Sequence, residues 1–293
     1  MKCITPIRVA NTCYGQGVRM LVPCGKCMAC LTRKRQEWVF RCKMELRRSP
    51  TAYFVTLTYD EEHAPRDELG REILNKEDIQ KFMKRLRKAN PECSIRYFLC
   101  GEYGPTTLRP HYHAIIYNLP IDNSPFKIKT QKLIEKSWQN GIVYVGEDCG
   151  GAAINYAAKY LLTPSIMPEI KELPNPFLLS SRNPAIGSNY VTDATKQYHE
   201  TENITVVVDG VPLPLPRYYK TKVQSEDVRK KLFFEWLETS QEEMLNQRIK
   251  LDMLLKYHPD DYKKEMRKLR NFEQGRKMWN ENRKKLLSKT SKI

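Results

Sequence analysis

Between residues 51 and 163 the apolar positions change period several times, and each change marks an element. Tyr53 to Tyr59 (YFVTLTY) is dense in β-branched and aromatic residues and predicts a strand. Residues 76–89 place Ile79, Phe82, Met83 and Leu86 at helical spacing, behind an Asn75 suited to capping the first turn. Ile95 to Cys100 and Tyr112 to Tyr117 predict two strands joined by a Gly/Pro/Thr loop. Helical spacing returns at 128–138 through Ile128, Leu133, Ile134 and Trp138, then Ile142 to Val145 predicts a fourth strand and Ala152 to Leu162 a third helix. The order β-α-β-β-α-β-α predicts an α+β fold: an antiparallel sheet of split βαββαβ connectivity plus one further helix.

Around this core the pattern loosens. Residues 1–50 are cysteine-rich and then basic, and 51–163 form the core itself. Residues 164–224 are punctuated by Pro164, Pro168, Pro174, Pro176 and Pro184 before a hairpin, whose arms 204–208 and 211–215 flank the turn signal Asp209-Gly210. Residues 225–293 predict charged helices. There is no internal repeat, and no G-x-x-x-x-G-K-[ST] segment to suggest an ATPase or helicase module.

Charge narrows the class of partner. The chain of 293 residues carries 50 Lys and Arg against 34 Asp and Glu, a net +16. From Arg217 onward there are 21 basic against 12 acidic residues, most of which form the solvated faces of helices. Such an excess points to a polyanion, with nucleic acid first and an acidic membrane surface second. Met1 to Leu31 holds no apolar stretch of signal-peptide length and no later run reaches membrane-span length, so no membrane association is expected. Nine cysteines, an odd number, fit reduced thiols in a cytosol better than a disulfide framework, with some of them holding metal.

The chemistry-bearing residues lie in and just after the core. His111 and His113, two apart on a predicted strand, point to one face and can bind one ion. Glu102 ends the preceding strand, and the connecting loop brings its carboxylate beside them. Two imidazoles and a carboxylate leave positions open for water and a phosphate oxygen. Arg109 precedes the pair and is placed to meet a phosphate. Tyr156 and Tyr160 share one face of the third helix, with Lys159 between them. A phenol is a poor nucleophile until nearby positive charge stabilises its phenolate, which Lys159 and a bound cation would do.

These features resemble the three motifs of HUH endonucleases: an upstream FVTLTYD strand, H-Y-H, and a downstream Y-x-x-K-Y helix. More narrowly, CGKCxxC, GEYG, RPHYHAII and YAAKYLL resemble the replication initiators of gokushovirus-like microviruses. The likeness spans roughly residues 22–163, with echoes in SRNPAIG (181–187) and PLPRYYK (214–220). It implies an HUH fold, with Glu102, His111 and His113 ligating Mg2+ or Mn2+ and Tyr156 and Tyr160 as nucleophiles. Thr163 departs from the pattern, standing where a second lysine is expected.

Cys24, Cys27 and Cys30 repeat an x₂ spacing, which suits a structural zinc. Cys13 and Cys42 are both open as fourth ligand. An iron–sulfur cluster is the rival, although Lys34 stands at the ferredoxin-like fourth position; inert thiols are the remaining reading. Downstream, Arg33 and Arg35 belong to a basic stretch around Trp38 and Phe40 that can lie along DNA phosphates.

The expectation is therefore a viral replication initiator acting in the host bacterial cytoplasm. It would nick origin DNA, single-stranded or locally melted, through a 5′-phosphotyrosine link, leave a 3′-OH for a host DNA polymerase, rely on a host helicase, and later rejoin the strand. Two rivals stand beside it: a plasmid or transposon nuclease of the same fold, and a zinc-stabilised DNA-binding regulator without catalysis.

Overall fold

Alternating hydrophobicity along YFVTLTY is the signature of a strand with a packed face, and in the computed structural model this segment lies inside a five-stranded sheet. Residues 3, 5–10, 19–104, 109–146, 154, 155, 157, 158 and 173–270 are described. In chain order the elements are β1 (Ile7–Ala10), β2 (Arg19–Val22), α1 (Met28–Leu46), β3 (Ala52–Tyr59), α2 (Lys76–Lys88), β4 (Arg96–Tyr103), β5 (Pro110–Tyr117), α3 (Ile128–Trp138) and β6 (Gly141–Val145). There follow β7 (Phe177–Ser180), α4 (Asp193–Glu200), β8 (Thr205–Val208), β9 (Val211–Pro214), α5 (Arg217–Val223), α6 (Glu226–Tyr257) and α7 (Pro259–Arg270). Contacts divide the chain into two units, one of residues 35–196 with 205–215, the other of 1–34 with 197–204 and 216–293.

In the first unit the sheet order is β6-β3-β5-β4-β7, and every neighbouring pair is antiparallel. The α+β class with an antiparallel sheet is as expected. The fifth strand, β7, comes from the proline-punctuated stretch, where the residues between Pro176 and Ser181 pair with β4 from Phe98 to Gly101.

The sheet is buried on both faces. On one, Val55, Leu57 and Tyr59 of β3, Leu99 of β4, and Tyr112, Ala114 and Ile116 of β5 pack with Ile79, Phe82, Met83 and Leu86 of α2 and with Ile134 and Trp138 of α3. On the other, Phe54, Phe98, Cys100, Ile115 and Tyr117 pack with Val39 and Cys42 of α1 and with Ile154, Ala157, Ala158 and Ile186. Each large side chain so buried contributes about 1.5–3 kcal/mol, before the conformational entropy that opposes it. Asn75 caps α2 as its sequence predicts, its side chain accepting from the Glu77 N–H at 2.9 Å. Arg85 of α2 donates to the Ser137 and Trp138 carbonyls, both at 2.7 Å, and so satisfies the end of α3.

Two polar ties fix the periphery of this unit. Glu45 of α1 pairs with Arg96 of β4, and its Oε2 also accepts from the Gly187 N–H at 2.8 Å. That contact, with Arg41 donating to the Ile186 carbonyl at 3.0 Å, anchors the SRNPAIG segment. In the β8–β9 hairpin, Asp209 and Gly210 both have positive φ (50° and 77°), the backbone that an Asp-Gly turn supplies.

In the second unit, β1 and β2 form a hairpin of register Ile7↔Val22. The Gln241 side chain of α6 both donates to and accepts from the Leu21 backbone, at 3.0 Å each. Helix α6 runs 32 residues from a Ser225 cap, and its buried residues are Met244 and Leu251, one heptad apart. Most of its surface is therefore solvated, as its charge predicts. Among the described residues no helix is long and apolar enough to cross a membrane.

Candidate metal centre on the sheet

Strand register decides which side chains meet. His111 lies opposite Glu102 of β4 and Thr58 of β3, while His113 lies opposite Cys100 and Thr56. Glu102 sits inside β4, which runs on past Cys100, where the pattern predicts its end, and into the GEYG segment. Its carboxylate is buried, and its Oε1 is 3.3 Å from His113 Nε2. Two donor atoms sharing one cation through bonds of about 2.1 Å stand roughly 3.0–3.4 Å apart, so this spacing fits a common ion.

Each imidazole is oriented from behind. His111 Nδ1 is 2.6 Å from the Arg109 carbonyl, which can only accept, so Nδ1 carries the proton and Nε2 presents a lone pair. Burial pushes the His111 pKa down, against the raising effect of that hydrogen bond, and favours the neutral ring a cation needs. His113 Nδ1 meets Thr56 Oγ1 at 3.1 Å, and its ring stacks on Phe54 with centroids 5.9 Å apart. Thr56 thus belongs to the site, although sequence reasoning passed over it; its place in the alternation of YFVTLTY, on the face opposite the core residues Val55 and Leu57, is the signal.

Tyr112, between the two histidines, points to the opposite face and is fully buried. Its hydroxyl meets Tyr59 Oη at 3.0 Å, accepts from the Asn75 N–H at 2.8 Å and lies 3.1 Å from the Asn75 carbonyl. Burial pushes the Tyr112 phenol up to about 12. The residue therefore pins the centre of β5 to the start of α2 while its neighbours face the site. Gly104 approaches closely: a Cβ there would stand 3.1 Å from His111 Cε1. The glycine of GEYG leaves room for the ring.

The remaining sequence candidates fall differently. Arg109 Nη2 donates to the Tyr59 carbonyl at 2.9 Å, and its Nε is 3.8 Å from Glu72, so part of its donor capacity serves the fold. Arg35 donates to the Asn155 carbonyl at 3.3 Å, and Arg33 is exposed on α1. Tyr156, Lys159 and Tyr160 lie outside the described residues. Their neighbours Ile154, Ala157 and Ala158 are buried on the sheet face that bears Glu102, His111 and His113.

A second donor group lies in the other unit. The thiols of Cys3, Cys24, Cys27 and Cys30 all stand within 4.8 Å of one another. Among the described residues no other set of three or more such donors closes as tightly, the Glu102, His111 and His113 set included. Of the two residues left open as fourth member, Cys42 is buried in the core beside the sheet and Cys13 lies outside the described residues. The structure brings in Cys3 instead, which sequence reasoning missed. Desolvation opposes ionisation of Cys24, but hydrogen bonds from Thr5 and from the Lys26 and Cys27 N–H groups bring its pKa down to about 6.

An α+β protein with an imidazole and carboxylate group on its sheet and a strongly basic composition belongs with proteins that handle nucleic acid. Likeness to known proteins narrows this: residues 52–164 match the model of the replication-associated protein ORF2 family. The chain is 29% identical to replication-associated protein ORF2 of Spiroplasma virus 4 over 264 residues, covering 77% of this chain and 81% of that protein. It is 28% identical to replication-associated protein VP4 of Bdellovibrio phage phiMH2K, over 75% of this chain and 76% of that one. Against replication-associated protein ORF4 of Chlamydia phage 1 it is 27% identical, over 70% of this chain and 55% of that one. The resemblance read from the motifs is thereby borne out: the chain is a relative of microvirus and phage replication-associated proteins. No solved structure matches it.

Proposed function

We propose that this protein initiates rolling-circle replication of a small phage genome by nicking origin DNA with a tyrosine, on an HUH-type fold. The observation that carries the reading is the contact of Glu102 with His113 beside His111, on the sheet face against which Ile154, Ala157 and Ala158 pack. Those three residues belong to the segment that contains Tyr156 and Tyr160. The chain order β3-α2-β4-β5-α3-β6 and the matches to replication-associated proteins support the same reading.

Glu102, His111 and His113 would hold Mg2+ or Mn2+, which supplies Lewis-acid polarisation of the scissile phosphate and stabilises charge in the transition state. The tyrosine oxygen forms a bond to phosphorus while the bond from phosphorus to the 3′ oxygen breaks. The phenol proton passes to solvent and the departing 3′ oxygen takes one up. One phosphate ester replaces another, so the 5′-phosphotyrosine retains the bond energy needed to rejoin the strand later. Lys159 stabilises the phenolate, and Arg109, Arg33 and Arg35 contribute to phosphate binding alongside their roles in the fold. Host helicase and DNA polymerase would act on the opened strand and the free 3′-OH in the host bacterial cytoplasm.

The test is incubation with single-stranded origin DNA and Mn2+ or Mg2+, followed by a denaturing gel. A covalent protein–DNA adduct is expected, retained in part by Tyr156→Phe or Tyr160→Phe alone and lost in the double variant. Adduct at the wild-type level in the double variant would remove both tyrosines as nucleophiles. Binding without any adduct would favour the non-catalytic regulator.

A further inference from the structure

We propose that Cys3, Cys24, Cys27 and Cys30 form a tetrathiolate zinc site that clasps the start of the chain to the first turn of α1. The spacing fits the ion. A tetrahedron with zinc–sulfur bonds of about 2.3 Å has sulfur–sulfur edges of about 3.8 Å. Cys3 Sγ and Cys27 Sγ are 3.9 Å apart, and all four sulfurs lie within 4.8 Å of one another. A disulfide needs sulfurs at about 2.0 Å, and all four cysteines are free thiols.

The β1–β2 hairpin explains how a residue 21 positions upstream reaches Cys24. Its register, Ile7↔Val22 at the open end, brings Thr5 and then Cys3 alongside the residues that follow β2. Thr5 Oγ1 accordingly donates to Cys24 Sγ at 3.2 Å, and the Cys24 N–H donates to Cys3 Sγ at 3.2 Å. The N–H groups of Cys27 and Lys26 point at Cys24 Sγ from 3.3 and 3.4 Å. Four donors thus converge on two sulfurs, the surroundings an anionic thiolate requires rather than a neutral thiol. Gly25, at φ 72°, makes the turn that aims these N–H groups. The nearby start of α1 adds the positive end of a helix dipole to a cluster that would carry net negative charge with zinc bound.

Sulfur-only ligation closes the coordination shell, so the site is structural and independent of any nicking chemistry. Its test needs no DNA. Elemental analysis of the reduced full-length protein should find about one zinc per chain, as one four-ligand site requires. Alkylation of the wild-type protein, read by mass spectrometry, should spare Cys3, Cys24, Cys27 and Cys30 until a strong chelator is added, while half-buried Cys93 labels throughout. Replacing zinc by Co2+ should give thiolate-to-metal absorption that falls by about a quarter in Cys3→Ser, one ligand of four, and is unchanged in Cys13→Ser. A protein that holds no transition metal even after zinc is supplied overturns the site. Metal-loaded protein in which Cys3 labels as fast as Cys93 overturns Cys3 as the fourth ligand, even where Cys3→Ser proves insoluble.

Discussion

Glu102, His111 and His113 are held on adjacent strands of a sheet packed on both faces, whereas Cys3, Cys24, Cys27 and Cys30 are gathered by a short hairpin and the start of a helix. The sheet residues are positioned by the backbone ladder and by Thr56 and the Arg109 carbonyl, so their geometry exists before any ion arrives. The thiols have only a modest apolar setting, chiefly Leu21, Ala29 and Leu31. In the first region the core supports the donors, and in the second the donors must help support the fold. An ion held by the first can keep sites open to a substrate, while one held by the second is enclosed.

Paired variants break this contrast most directly. Under the proposed function, His113→Ala should lower nicking by more than about 100-fold, beyond the 10–100-fold typical of residues that only orient a ligand. Its melting temperature and DNA affinity should change little, because the core and the distributed charge are intact. Loss of structure in parallel with loss of nicking would show that this region, too, depends on its donors. Thr56→Val keeps the shape and removes the partner of His113 Nδ1. It should weaken Mn2+ binding by about tenfold or more, measured by titrating Mn2+ into the nicking assay; an unchanged midpoint would mean that Thr56 does not orient the ring.

Smaller effects sharpen the same picture. Tyr112→Phe leaves the Asn75 N–H and Tyr59 Oη short of a partner, and should cost about 1–3 kcal/mol in denaturant unfolding. Nicking by the remaining folded protein should persist, since Tyr112 faces away from the site. Gly104→Ala should have the mildest outcome. The added methyl stands 3.1 Å from His111, so the ring must shift by a few tenths of an ångström. The expected result is a rise in the Mn2+ requirement with no change in melting temperature.

Local signals made much of the fold legible. The helix of Ile79, Phe82, Met83 and Leu86, its Asn75 cap, the Asp209-Gly210 turn and the strand order along the chain depend on residues within a few positions of one another. The pairing of His111 with Glu102 was legible because one short connection joins their strands. Cys3 was not, because its arrival depends on the register of β1 with β2, which neither arm fixes alone. Strand β7 was hidden for a related reason: Phe177 to Ser180 is too short to show a period, and only the open edge of β4 gives it a partner. Arg35 and Arg109 read as phosphate contacts from charge alone, and the backbone carbonyls they also serve could be seen only in three dimensions.

The Arg109 carbonyl receives both the His111 Nδ1–H, at 2.6 Å, and the Gly104 N–H, at 2.7 Å. A single peptide oxygen therefore closes the end of the β4–β5 pairing and selects the tautomer of the imidazole. Because that acceptor is main chain, any amino acid at position 109 supplies it, and side-chain replacement there leaves it in place. Alanine scanning is blind to it. What the histidine depends on is the number of residues between Gly104 and Arg109, since adding or removing one would carry the oxygen away from both of its donors. Tolerance at this corner is thus divided between two kinds of change: the letter at position 109 is free as far as the ring is concerned, and the spacing is not.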